Sequence, residues 1–274
     1  MARNCPKTDS RPLPRWLAVA AAAALLCGAL GCQGAKGRKN SISIYAGAGM
    51  KPAMDKLIAA FKQQTGIDVE ADYQGSGIIV TRARADEEAD LFIPGDEWYV
   101  DLLQEQTGVI ESRATIAYFV PVIIVRKDRK ITEEPINSLE DLLNKKNVKV
   151  GLGNPKACQV GRISDVILEK IGRKRSELNL KEALTVNELA PWVATGDVDA
   201  AIVWDATAAN FAHYVRAIEI PMARGQKDLV SRVVAGLMKT SKKKDLARKF
   251  LDFLTSQRGR AILKESGYLV DPPW

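Results

Sequence analysis

Histidine is almost missing from this chain. His213 is the only one among 274 residues, which excludes a metal centre built on several imidazoles and leaves a serine triad with a single ring to use. That ring lies in the aromatic stretch 211–214 and reads as structural. Cysteine is nearly as scarce: Cys5, Cys27, Cys32 and Cys158 are all there are. Three of them precede residue 33, so the body of the chain has Cys158 alone and can close no internal disulfide. No Cys/His metal site is expected. No apolar run reaches the ~20 residues that span a bilayer. Charge is only mildly one-sided, with Lys+Arg 40 against Asp+Glu 33. The one tight basic cluster, Lys242, Lys243 and Lys244, sits beside Asp245 and reads as a solvated helix start, so no nucleic-acid partner is expected.

The N-terminus must be set apart before the fold is read. Arg3, Lys7, Arg11 and Arg15 precede an Ala-rich apolar stretch over 16–30, followed by Ala29-Leu30-Gly31-Cys32. Basic residues, a short apolar core and small residues form a secretory signal, and small residues before a cysteine resemble a lipobox. The expectation is a lipoprotein-type signal over 1–31, a lipid on Cys32 and a polar tether over 32–40, placing the protein on the periplasmic or extracellular face, anchored to the membrane. Losing the signal removes four basic residues and Asp9 from a total of +7, leaving a mild positive excess.

The rest alternates between two periods. Residues 41–46 alternate apolar and polar; residues 50–64 place Met54, Leu57, Ile58 and Phe61 on one helix face, and Gly66 follows as a terminator. Further strands are expected at 67–73, 91–93, 118–125, 148–152, 200–204, 217–220 and 230–238. Asp96 and Ser138 are expected to cap helices, and a helical stretch over 246–264 is expected to break near Ser256. Strand–helix alternation argues for parallel α/β sheets. In such sheets ligands bind beyond the C-terminal ends of strands. Four turns are therefore candidates: 46–50, 74–77, 153–161 and 204–206.

Nucleotide motifs are incomplete there. Gly47-Ala48-Gly49 lacks its third glycine, and Gly151-Leu152-Gly153 lacks a following Gly-Lys-Ser/Thr. Gly75-Ser76-Gly77 is not a nucleophile elbow. No catalytic residues and no cofactor are expected.

Several segments together resemble a known family. They are strand 42–46 with its following helix, Thr65-Gly66-Ile67-Asp68-Val69, Gly75-Ser76-Gly77, Ala89-Asp90-Leu91-Phe92-Ile93-Pro94-Gly95-Asp96, Gly151-Leu152-Gly153-Asn154-Pro155 with Gly161, Ala194-Thr195-Gly196-Asp197-Val198-Asp199-Ala200, and Phe250-Leu251-Asp252-Phe253-Leu254 with Gly267-Tyr268. They resemble the molybdate-binding proteins of ABC transporters, over residues 42 to the C-terminus. The resemblance implies an α/β fold of the type II periplasmic binding protein class, with two lobes and a ligand cleft between them. Lobe one is expected over 41–117 plus 233–274 and lobe two over 118–232. It implies a small oxyanion ligand, molybdate or tungstate, and a partner ABC permease.

Carried over by position, the resemblance puts Ser76 at a hydroxyl donor with the Gly77 N–H close by. It puts Val160 and Val186 at main-chain donors. Two positions depart from the pattern. Gly49 stands where the family has a serine, and Trp204 stands where it has a tyrosine; an indole N–H also donates, with a different reach. Asp205 is expected to cap the helix at Ala206 rather than face a dianion. The rival readings are the same fold holding sulfate, phosphate or a small organic acid, and an exported enzyme on this scaffold.

Overall fold

A computed structural model describes residues 40–85, 89–128, 135–145 and 147–274. The expected signal peptide, the lipid site Cys32 and the tether up to residue 39 lie outside the described residues. Two five-stranded sheets organise the rest, and both are assembled by one rule.

The first sheet contains β1 (Ser41–Gly47), β2 (Asp68–Gln74), β3 (Leu91–Ile93), β4 (Ile110–Phe119) and β10 (Ser231–Met238), in the order β2-β1-β3-β10-β4. β1 runs parallel to β2 and β3, whereas β10 is antiparallel to β3 and β4. β1 is buried along nearly its whole length despite its alternating sequence, because it has a neighbour on each side and helices over both faces. Helix α1 (Lys51–Thr65) turns Ala53, Met54, Leu57 and Phe61 inward. It ends on Gly66 at φ 70°, whose N–H donates to the Lys62 carbonyl, a left-handed position that suits glycine. Helices α2 (Ser76–Ala85) and α3 (Glu97–Thr107) cover the other face over Tyr45, Ile79, Phe92, Tyr99 and Leu103. At the far end, α8 (Lys244–Thr255) and α9 (Gln257–Glu265) are separated at Ser256, whose Oγ accepts from the Gly259 N–H. Phe61 packs between Phe250 and Phe253 at 4.9 and 5.5 Å, and Phe61→Ala is expected to cost ~3–5 kcal/mol.

The second sheet repeats the plan. It contains β5 (Pro121–Arg126), β6 (Lys149–Gly153), β7 (Asn179–Ala183), β8 (Ala200–Trp204) and β9 (Val215–Glu219), in the order β7-β6-β8-β5-β9. β6 is parallel to β7 and β8, and β5 is antiparallel to β8 and β9. Helices α4 (Leu139–Asn144), α5 (Gln159–Lys170), α6 (Val186–Thr195) and α7 (Asp205–Asn210) connect them. The Ser138 hydroxyl caps α4 by accepting from the Asp141 N–H.

Two expectations change. The sheets are mixed, not purely parallel, because the strands next to the crossings between the sheets run against the parallel set. The apolar run at 118–125 is not one strand. β4 ends at Phe119 in the first sheet and β5 begins at Pro121 in the second, so residues 118–119, like 231–232 at the start of β10, stand with the first sheet and not in the lobe expected over 118–232. Val120 between them is clamped: its N–H donates to Asp205 Oδ1 at 3.1 Å, and the Asp205 N–H donates to the Val120 carbonyl at 2.8 Å.

Candidate functional site

The C-terminal ends of β1 and β2 face those of β6 and β8 across a closed cleft. Between them lies a cavity of ≈ 20 Å³, larger than the ~10–15 Å³ one water requires and too small for a nucleotide or peptide. Gly47, Ala48, Gly49, Gly75, Ser76, Gly95 and Phe119 line it from the first lobe; Cys158, Gln159, Val160, Val186 and Trp204 line it from the second. None of these side chains is charged.

The sequence puts helix starts around this space. Ser76 opens α2, Gln159 and Val160 open α5, and Val186 opens α6. The first N–H groups of a helix have no partner inside it and carry the positive end of its dipole. Among the described residues the N–H groups of Ser76, Val160 and Val186 meet no acceptor. The Ser76 hydroxyl, 3% exposed, accepts from the Gly95 N–H at 2.9 Å. That fixes its oxygen and leaves its proton to donate. A small enclosed pocket rich in neutral donors suits a small anion, whose charge is met by hydrogen bonds and dipoles rather than by a counter-ion.

The remaining wall is aromatic. Phe119 stacks on Trp204 at 5.2 Å and 10° and leans on Tyr268 at 5.5 Å. The Tyr268 hydroxyl donates to the Gly49 carbonyl at 2.6 Å, holding the turn Ala48–Met50 from behind. A Cβ placed on Gly49 would meet Val186 Cγ1 at 3.3 Å and Trp204 Cδ1 at 3.4 Å. A methyl at 49 would thus touch Val186 and the indole edge, with little room left for anything larger.

Of the six residues singled out in the sequence, Gly49, Ser76, Val160, Val186 and Trp204 line one cavity. Gly77 does not. Its N–H already donates to the Ala157 carbonyl across the cleft at 2.9 Å, which corrects the expectation of a donor beside Ser76. Its role is close approach: a Cβ there would lie 2.0 Å from the Lys156 carbonyl oxygen, and one on Gly75 would lie 2.3 Å from that of Ala157. Gln159, Phe119 and Gly95 were not singled out. The helix-start rule could have found Gln159, since it is the residue before Val160; Phe119 was hidden inside the apolar run.

Electrostatics follow burial. Asp205 turns away from the cavity, and its Oδ1 accepts from the Val120 and Ala206 N–H groups. Burial nevertheless pushes its pKa up to about 6, those two bonds pulling the other way. Burial likewise pushes the Cys158 thiol up to about 11, which keeps it protonated and unreactive. His213 is exposed and edge-on to Tyr214 at 5.0 Å. Among the described residues no cluster of His, Cys, Asp and Glu could hold a metal ion.

Residues 42–269 match the family of bacterial extracellular solute-binding proteins. A Haemophilus influenzae protein named only as a binding protein is 32% identical over 229 residues, 82% of this chain and 89% of that one. The Molybdate-binding protein ModA of Mycobacterium tuberculosis is 26% identical over 233 residues, 83% of this chain and 84% of that one. Among solved structures, the periplasmic molybdate-binding protein of Azotobacter vinelandii superposes with a TM-score of 0.70 at 19% identity, over 84% of this chain and 100% of that one. This last likeness establishes the two-lobed fold.

Proposed function

Because the chain belongs to the family of bacterial extracellular solute-binding proteins, we propose that it captures molybdate, or a tetrahedral oxyanion like it, and delivers it to the permease of an ABC importer. The lipid on Cys32 would hold it at the membrane surface. The observation that carries this reading is the convergence of three helix starts and one buried serine hydroxyl on a small cavity with no charged lining. Neutral donors fixed in place count the acceptor oxygens of a ligand and penalise one that arrives protonated, because its proton then opposes a donor. Ser76 supplies a hydroxyl, Val160 and Val186 supply main-chain N–H groups, Trp204 supplies an indole N–H, and Gly49 lets the backbone approach. A curated relative named for molybdate binding supports the choice of ligand.

A second reading changes only the anion. Gly49 and Trp204 replace hydroxyl-bearing residues of the molybdate pattern, so the donor set has one hydroxyl from Ser76 where that pattern has more. Tungstate fits the first reading equally; sulfate, phosphate or a small organic acid defines the second. A thermal-shift series on the domain from residue 40 onward separates them. Molybdate or tungstate should raise Tm, and chloride and nitrate should not. At 100 times Kd a ligand adds about 2.7 kcal/mol of stability. Stabilisation by an organic acid alone would leave the fold and remove the oxyanion assignment.

A further inference from the structure

The cavity has an awkward neighbour. Asp96 follows Gly95, a lining residue, and is itself 7% exposed. Its carboxylate is fixed as the cap of α3, accepting from the Trp98 N–H at 2.9 Å. A buried carboxylate beside a pocket for an anion repels the ligand, and it does so most strongly when closure removes the water that screens it. Burial already holds this carboxyl above the usual carboxylate range; the Trp98 N–H pulls most against that, and three further groups, Ser231, Arg162 and Gln159, pull the same way.

Two of those three groups come from the opposite lobe. Gln159 and Arg162 lie in the first turn of α5, while Asp96, Trp98 and Ser231 belong to the first lobe. The Gln159 amide donates to Ser231 Oγ at 3.2 Å across the cleft. The Arg162 Nε donates to Gln159 Oε1 at 3.1 Å, and its guanidinium lies 4.6 Å above the Trp98 ring. The nearby Arg232 is paired with Glu97. Among the described residues Arg162 forms no ion pair within 4 Å, so no other carboxylate neutralises it.

We infer that Arg162 is the counter-charge that the second lobe brings to Asp96 when the cleft closes. With the lobes apart, water screens Asp96. With the lobes together, Arg162 takes over from water, seated on Trp98 two residues along the chain from Asp96 and hydrogen-bonded to Gln159, which donates to Ser231 in the first lobe. The carboxylate can then keep capping α3 while a dianion sits one residue away. Arg162 thus acts as a positioning residue that makes closure and anion capture one event. The inference rests on reading the cavity as an anion site.

A double-variant cycle tests it, read by calorimetric titration with molybdate, tungstate and sulfate. Arg162→Gln should weaken binding of the captured anion about tenfold. Adding Asp96→Asn in that background should restore affinity to within about twofold, since no buried charge then needs a partner. A purely mechanical role for Arg162 on Trp98 predicts no rescue. An unchanged Arg162→Gln, or a loss that Asp96→Asn leaves in place, overturns the inference. Small-angle scattering of the ligand-free proteins reads the same pair without ligand: Arg162→Gln should enlarge the radius of gyration and the double variant should return it toward wild type, while no change in either overturns the inference. If wild type binds none of the three anions, the functional reading falls, and the scattering result alone decides about the pair.

Discussion

The two lobes share one plan and contribute to the cleft in opposite ways. Each has parallel strands beside antiparallel ones, in matching order. Yet lobe one meets the cavity with Gly47, Ala48, Gly49, Gly75, Ser76, Gly95 and Phe119, while lobe two meets it with Cys158, Gln159, Val160, Val186 and Trp204. Phe119 apart, lobe one is thin and brings backbone and one hydroxyl; lobe two is bulky and brings helix starts walled by apolar side chains. A flat glycine surface lets the lobes close to the distance of a backbone hydrogen bond, as Gly77 N–H to the Ala157 carbonyl shows. A bulky opposite wall fixes the size of what is enclosed. Size and donor count are thereby set by different lobes.

Filling the thin side should do most damage. Gly77→Ala puts a methyl 2.0 Å from the Lys156 carbonyl oxygen, so the closed state cannot form. Oxyanion affinity should fall roughly 100-fold or more, with the Tm of the ligand-free domain nearly unchanged. Retained affinity would show that binding does not need this closure.

Removing one donor from each lobe compares them directly. Ser76→Ala deletes the lobe-one hydroxyl, and a hydrogen bond to a charged acceptor is worth ~1.5–3 kcal/mol, or about 10–100-fold in Kd. Val186→Pro deletes a lobe-two N–H at the first position of α6, where proline suits the helix and Thr185 is already extended at φ −136°, ψ 155°. A similar loss is expected. Equal losses in calorimetry would mean that both lobes hold the anion; a loss for Ser76→Ala alone would make lobe two a wall only.

A smaller effect is expected from Trp204→Phe, which keeps the stack on Phe119 and removes the indole N–H. We expect up to about tenfold weaker binding. Unchanged affinity would reduce Trp204 to packing against Gly49.

The last effect is on stability rather than affinity and concerns the crossing at Val120, clamped by Asp205. The folded pKa of Asp205 is about 6 against an ordinary 3.8, so the folded state holds the proton more tightly than the unfolded chain. Its contribution to stability is therefore full below pH ~4 and is lost as pH rises to ~6, on the order of 3 kcal/mol. Asp205→Asn keeps an acceptor for the Val120 and Ala206 N–H groups and should gain on wild type over that interval in chemical denaturation. A pH-independent difference would mean that Asp205 does not titrate there.

Much of this could be read from the sequence, and the gaps have physical causes. Gly66, Asp96 and Ser138 marked helix ends because capping is local chemistry. The turn after each parallel strand pointed to the segments 74–77, 153–161 and 204–206 because helix starts follow strand ends, and the family resemblance singled out Ser76, Val160 and Trp204 within them. The boundary at Val120 was invisible: Tyr118 to Val125 is apolar throughout, and periodicity cannot tell which sheet each half joins. β7 was missed because Asn-Leu-Lys-Glu-Ala, on a sheet edge, has little to bury. Gly77 was assigned to the ligand because a glycine beside a helix start suits both an N–H donor and a close contact, and only the opposite lobe decides between them.

The central claim is that the anion sits among helix starts from both lobes. Anomalous diffraction from crystals grown with molybdate tests it most directly. One molybdenum peak is expected inside the cavity, with the anion's oxygens in hydrogen-bond reach of Ser76 Oγ and of the Val160 and Val186 N–H groups. A peak on a surface lysine or arginine with the cavity holding only water would contradict it.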